Sequence, residues 1–233
     1  MRILLLTQLL SYPSDTGAKI KTFNMLQALA THHTIIYCSF IRSKNERVYT
    51  EKLSPYCEHI VTVLLQRTWW NELVALWRSV QKQEPFLLCR DFRMHMSKLV
   101  YRLVTEYHID TIHVDQLNMA QYVPLNWSGK VILDEHNAVW HLLQRIHDTS
   151  HSQVKRWFLR REIQLLRRYE ANACQNAHLV LAVSEQDKAS IQAITRKSAP
   201  IHVVPIMINC QSLNEVRQGR KPEERRPGEL HRR

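Results

Sequence analysis

Short runs of consecutive apolar and β-branched residues recur along this chain, separated by longer stretches with helical spacing. The runs are Ile3–Thr7, Thr34–Phe40, His59–Leu65, Thr111–Asp115, Val131–Glu135, His178–Val183 and Ile201–Val204. They are apolar nearly throughout instead of alternating, the pattern of parallel strands covered on both faces. From Lys19 to Thr31 the residues Ile20, Phe23, Met25, Leu26, Leu29 and Ala30 share one helical side, with Lys19, Lys21 and Gln27 elsewhere. A second helix is predicted over Phe92 to Tyr107, turning Met96, Leu99, Val100 and Leu103 inward, and a long basic one near Gln153–Ala173. Strand–helix alternation of this kind predicts an α/β fold, a Rossmann-like parallel sheet with helices on both faces and right-handed crossovers. The pattern stops after Val203-Val204-Pro205-Ile206. Beyond Cys210 one Val and two Leu are the only large apolar residues, too few to offset ordering entropy. The expected organisation is one domain over residues 1–209 and a basic, disordered tail over 210–233.

Charge changes this picture only in part. With 32 Lys and Arg against 21 Asp and Glu, the 233-residue chain carries a formal net charge of +11. Such a surface attracts phosphates, anionic lipid headgroups or nucleic acid, and charge alone does not choose among them. No RNA- or DNA-recognition motif is present and the basic residues are spread out, so nucleic acid is not an expected partner. Cys38, Cys57, Cys89, Cys174 and Cys210 are far apart, with no CxxC, which argues against a disulfide framework or a zinc site. No run approaches the roughly 18 apolar residues needed to span a bilayer. The opening Met1-Arg2-Ile3-Leu4-Leu5-Leu6 reads as a buried strand, because its apolar run ends at Thr7-Gln8 with no small-residue cleavage site. A cytoplasmic location is expected.

Three strand ends carry candidate chemistry, since ligands of doubly wound sheets sit beyond the strands' carboxyl ends. After the first strand comes Ser11-Tyr12-Pro13-Ser14-Asp15-Thr16-Gly17-Ala18-Lys19. Gly17 would let the backbone approach a phosphate, and the free N–H groups of the following helix favour an anion. The alternative is that Gly17 and Asp15 only make a turn and cap the helix. The second end is Asp134-Glu135-His136-Asn137, where His136 could carry a proton with Asp134 orienting the imidazole. Neither His141 nor His147 adds a workable metal-ligand spacing, so no metal is expected. At the third, Ser184 with Asp187 three residues on matches an acidic variant of the capping box. Separately, Trp69, Leu73, Leu76 and Trp77 share one helical side, extended by Trp70 and Val74 and flanked by Arg67, Arg78 and Lys82. Core packing on the sheet is the default for such a stripe. A membrane contact or a domain interface are the alternatives.

Taken in order, MRILLLTQLLSYPSDTGAKIKTFNMLQALA, VILDEHN, REIQLLRRYE followed by AHLVLAVSEQD, and IHVVPIMIN resemble the amino-terminal domain of GT-B-fold glycosyltransferases of the family-four, retaining type. The resemblance covers residues 1–209. It implies an acceptor-binding domain whose loop after the first strand reaches the donor's diphosphate, a role falling on Gly17 and Ala18, with Asp15 and Lys19 beside them. That family often has two glycines where this chain has Gly17-Ala18. His136 looks like the family's cleft histidine, a positioning residue, with Asn137 and Ser184 as further cleft candidates. The carboxyl-terminal domain that normally binds the nucleotide-sugar, with its Arg/Lys pair and paired glutamates, does not follow in this sequence. The expectation is therefore the acceptor half of a glycosyltransferase, inactive alone and without a cofactor. A nucleotide-sugar donor is expected only if the second domain is supplied, and the acceptor is a glycan or a lipid-linked sugar. Contact through Trp69, Trp70 and Trp77 would place it at the inner face of the membrane. The competing expectation is a non-catalytic interaction or regulatory module that kept the fold.

Overall fold

The computed structural model describes residues 1–195 and 200–206. Seven parallel strands form one sheet: β1 (Arg2–Thr7), β2 (Thr34–Ile41), β3 (His59–Leu64), β4 (Thr111–Asp115), β5 (Lys130–Glu135), β6 (Leu179–Ala182) and β7 (Ile201–Val203). Their spatial order is β3-β2-β1-β4-β5-β6-β7. All seven expected strands are present, within a residue or two at their ends. The helices are α1 (Gly17–Ala30), the single turn α2 (Thr50–Leu53), α3 (Trp69–Lys82), α4 (Phe86–Asp91), α5 (Met94–Glu106), α6 (Val139–Thr149), α7 (Gln153–Asn176) and α8 (Glu185–Gln192).

The side-chain period of two splits β1 between two cores. Leu4 and Leu6 pack with Ile36, Cys38, Val100, Leu103, Cys174 and Ile191 on one face. Ile3 and Leu5 pack with Ile35, Tyr37, Leu26 and Leu53 on the other. Both faces are covered, which is why the strands read as continuous apolar runs. On α5, Met96, Leu99, Val100 and Leu103 are buried as their spacing predicts.

Chain order reverses across the sheet between β1 and β4. Leaving β1 the chain turns towards β2 and β3, whereas β4 returns on the other side of β1. The carboxyl ends of β1, β4 and β5 therefore open a crevice, the place where doubly wound sheets hold ligands. The loop after β1 is pinned from beneath. The buried Tyr37 hydroxyl accepts from the Ser11 N–H (3.1 Å) and from Thr7 Oγ1 (3.1 Å).

Two expectations are corrected. Lys21, placed off the apolar side of α1, is only 3% exposed, and the buried residues of that helix are Lys21, Thr22 and Leu26. The first turns of α1 lie over strand ends bearing Asp115 and Asp134, so a cation and a hydroxyl replace apolar contacts there. The tryptophan stripe is not core: Trp69, Trp70 and Trp77 are each more than 60% exposed. Helix α3 meets the body through its small residues Ala75 and Ser79. Ser79 Oγ donates to the Glu84 carbonyl (2.7 Å), and Arg161 Nη2 donates to the Ser79 carbonyl (2.6 Å). Small residues inward allow close approach and turn the large apolar side chains out. The proposed tail, residues 210–233, lies outside the described residues, as does Cys210.

Candidate functional site

Helix α1 starts at Gly17, and its cap is Thr16 instead of Asp15: Thr16 Oγ1 accepts from the Lys19 N–H (3.4 Å). Asp15 instead pairs with Lys19 (2.9 Å), and that hydrogen bond holds its carboxyl below the usual range. A Cβ added at Gly17 would meet only Ile206 Cδ1, at 3.5 Å, so the approach to this helix end is sterically open.

Beneath α1 lies a compact ionic network. The Lys21 ammonium bonds Asp134 Oδ1, and both residues are at most 3% exposed. Asp134 Oδ2 lies 3.6 Å from His113 Nε2. Burial opposes ionisation of Asp134, but His113, Lys21 and His136 outweigh it and hold its pKa below the usual value. Asp115 accepts from Thr22 Oγ1 (2.8 Å) and lies 3.0 Å from His136 Nε2. The imidazole is therefore oriented by Asp115, at the end of β4, and not by Asp134, its neighbour in sequence. Side chains two apart on a strand share a face, yet His136 lies just beyond the end of β5, and its ring reaches Asp115 at the end of the neighbouring β4.

Burial works against a charge on His136, but the Asp115 carboxylate overrides it, through charge and hydrogen bond, and Asp134 adds to the effect; the net pKa is raised above 6.5. The amide of Gln116 lies 3.4 Å from Nδ1, and its two ends can serve either protonation state. The fold favours the charged form. Its contribution to stability is complete below the unfolded value and is lost as pH rises through the folded one. NMR titration should place the His136 pKa above 6.5, and Asp115→Asn should lower it, leaving burial dominant. An unchanged titration in that variant would remove Asp115 as the partner.

Gln116 is itself unusual. Its φ of 79° and ψ of 146° lie in territory that L residues rarely adopt. Its backbone N–H donates to the Asp134 carbonyl (2.9 Å), which ties β4 to β5 at the crevice. Backbone strain of this sort, about 1–3 kcal/mol, persists where surrounding structure over-determines it and collects at functional sites.

Two hollows adjoin over this network, sharing Ala18 and Gln116. One, of about 180 Å³, is bordered by Gln8, Asn118, Glu135, His136 and Asn137. The other, of about 300 Å³, is bordered by Asp15, Thr16, Lys19, Arg42 and Asp115. Amides and an imidazole suit hydroxyl groups, while Lys19, Arg42 and the head of α1 suit an anion. The crevice thus brings together Asp15, Ala18, Lys19, His136 and Asn137 of the expected residues. Ser184 lines neither hollow. It caps α8, donating from Oγ to Asp187 Oδ2 (2.5 Å) and accepting from the Asp187 N–H (3.1 Å). Asp187 Oδ1 accepts from the Ala138 N–H (3.2 Å), so Ser184 supports the His136 loop at one remove.

Asp115, Asp134 and His136 hold ligand atoms within 4.8 Å of one another, a spacing that could grip a metal ion. The Lys21 ammonium already balances Asp134, and Thr22 and His136 satisfy Asp115, so the cluster closes as an ion-pair and proton network. Below it sits an acid pair. Glu135 is 1% exposed and its two carboxyl oxygens find no hydrogen-bond partner among the described residues. Glu170 of α7 accepts at Oε2 from the Trp140 N–H (3.2 Å). Burial, then the charge of Glu170 and Asp134, drives Glu135 well above the usual carboxyl range. Burial, aided by Asp187 and opposed by backbone N–H groups, raises Glu170 to about 8.

Sequence reading missed Lys21, Thr22, Asp115 and Gln116. Only Lys21 left a signal, a lysine beside the buried stripe of α1 that could have been paired with an acid at a strand end.

No protein-family model matches the chain, and no curated protein does. Solved structures do. Sucrose-phosphate synthase from Thermosynechococcus elongatus matches with a TM-score of 0.58 at 14% identity, over 91% of this chain and 49% of that one. A second structure of that enzyme matches with a TM-score of 0.50 at 13% identity, over 93% and 96% of the two chains. Medicago truncatula UGT71G1, complexed with UDP-glucose, matches with a TM-score of 0.49 at 10% identity, over 90% and 52%. The chain spans about half the length of the first of these. Its seven-stranded parallel sheet is the Rossmann-like fold of one half of a GT-B structure.

Proposed function

We propose that this chain is the acceptor-binding half of a glycosyltransferase. The observation that carries the reading is the paired hollow at the ends of β1, β4 and β5, one part amide-rich and one part bringing Lys19, Arg42 and the head of α1 beside Asp15 and Asp115, in a half-GT-B fold. The amide-rich part, with His136 and Asn137, would hold hydroxyls of a glycan or lipid-linked acceptor. The head of α1 (Gly17, Ala18 and Lys19, with Asp15 beside them) would meet the donor's diphosphate. A nucleotide-sugar would be bound chiefly by a second, carboxyl-terminal domain, and this chain would not turn it over unaided. His136 serves to position the acceptor, its orientation set by Asp115 and Gln116. No described helix is long and apolar enough to cross a membrane. The proposed location is cytoplasmic, with peripheral contact at the inner leaflet through Trp69, Trp70 and Trp77. The exposed face of α3 also favours a second reading, a non-catalytic interaction module built on the same fold.

Saturation-transfer NMR of the full chain against a panel of mono- and disaccharides, with UDP-glucose alongside, tests the proposal. At least one saccharide should show contact that His136→Ala abolishes and Lys52→Gln leaves intact. A folded chain that contacts none of them would favour the interaction module.

A further inference from the structure

Helix α3 is amphipathic the wrong way round for a globular domain. At roughly 100° per residue, Trp69, Leu73, Leu76, Trp77 and Val80 lie opposite the Ala75–Ser79 stripe that touches the body. Leu73, Leu76, Trp77 and Val80 are 40–62% exposed, and Trp69 and Trp70 stack with ring centroids 3.7 Å apart in the open. On α7, Val154, Trp157 and Arg161 fall on one helical side, and Arg161 bonds Ser79 on the body-facing side of α3. Val154 and Trp157 are 78% and 71% exposed.

Behind the helix, between α3 and α4, two adjoining hollows of about 330 and 220 Å³ share Arg78, Cys89 and Phe92. Together they fall in the size range of small-ligand sites, about 300–1,000 Å³. Their walls are apolar at Val74, Leu88, Cys89, Phe92 and Met94. Their charge is lopsided: Arg78, Arg93 and Lys82 face one carboxylate, Glu84. Arg93 is held by neutral carbonyls, donating from Nη1 to Arg90 O (2.9 Å) and Phe92 O (2.7 Å) and from Nη2 to Gln66 O (2.7 Å). Its position is fixed while its charge stays uncompensated. The nearby Asp91 carboxylate is already taken by Arg67 (2.7 Å) and Arg90 (3.3 Å). A fixed cation, apolar walls and an outward tryptophan face suit a molecule with a negative head and a hydrocarbon body.

We propose that the hollows beside Arg78 and Arg93 bind the phosphate headgroup of an anionic lipid, drawn from the bilayer on which the tryptophan face of α3 rests. The inference builds on the membrane contact proposed above and adds a headgroup site that simple surface charge does not require.

The test is co-sedimentation of the full chain with vesicles of phosphatidylcholine alone, or with about one-fifth phosphatidylglycerol, a content that gives a strongly anionic surface. Wild type should sediment with the anionic vesicles, and Trp69→Ala/Trp70→Ala should not. Arg78→Gln should weaken that binding about tenfold, as loss of a charged hydrogen bond does. Lys52→Gln, the same charge loss on the opposite face of the sheet, should change it less than about twofold. Arg78 has no ion pair among the described residues, and unchanged far-UV circular dichroism would verify that its variant folds. Equal losses in Arg78→Gln and Lys52→Gln would overturn the headgroup site and leave the membrane contact standing. Failure of wild type to sediment with either vesicle would overturn both. Release from anionic vesicles by millimolar inorganic phosphate, at constant ionic strength, would assign the site to a soluble phosphate and overturn the lipid.

Discussion

Replacing Glu170 by glutamine should make the protein more stable at pH 8 than the wild type by several kcal/mol, while at pH 5 the two should lie within about 1 kcal/mol of each other. In the folded state Glu170 holds its proton to about pH 8, against an ordinary glutamate value of about 4.5. Between those values the unfolded chain binds fewer protons than the folded one, so wild-type stability falls as pH rises, by roughly 1.4 kcal/mol per unit for one group. The groups acting on Glu170 are Asp187 and the backbone N–H groups of Val139 and Trp140; those acting on Glu135 are Glu170, Asp134, Asp187 and Lys21. The amide removes one titration and relieves Glu135 of a neighbouring charge. Urea unfolding at pH 5, 6.5 and 8 measures the slope directly. Parallel curves for wild type and Glu170→Gln would mean that the acid pair does not hold its protons through neutral pH.

Lys21→Met should destabilise the chain by about 3–5 kcal/mol at pH 7, because it leaves the Asp134 carboxylate buried without its ammonium partner. Lys21→Met/Asp134→Asn should recover at least half of the loss, since removing both charges removes the uncompensated one. Acid should act on the same contact. The pKa of Asp134 is depressed in the fold, so its contribution is present above the unfolded value and is lost as pH falls through the folded one. The measurement is the urea midpoint of both variants and wild type. A loss under about 1 kcal/mol in Lys21→Met would show that the pair is no stronger than a surface ion pair.

Both predictions concern residues whose partners are remote in sequence: Lys21 with Asp134, Glu135 with Glu170, His136 with Asp115. Spacing along a chain reveals contacts between neighbours on one element. These pairs instead arise where α1, β4, β5 and α7 meet, a juxtaposition set by strand order. The choice of Asp134 as the orienter of His136 failed for that reason, since its carboxylate is turned to Lys21 and His113.

The chain's own pattern determined a good deal. Seven short apolar runs specified seven parallel strands, because a strand covered on both faces is apolar at most positions instead of at alternate ones. The spacing of Met96, Leu99, Val100 and Leu103 specified the inner side of α5, and Ser184 with Asp187 specified a helix cap. The direction faced by the tryptophan helix was decided only in three dimensions. An amphipathic period shows that a helix has an apolar side and says nothing about what lies against it. Here the close approach of Ser79 to Arg161 and the Glu84 carbonyl turns that side outward. The proton balance of the crevice was likewise a tertiary outcome. Burial and through-space charge from five separate elements determine whether Glu135, Glu170 and His136 keep their protons, and neither is a property of local sequence.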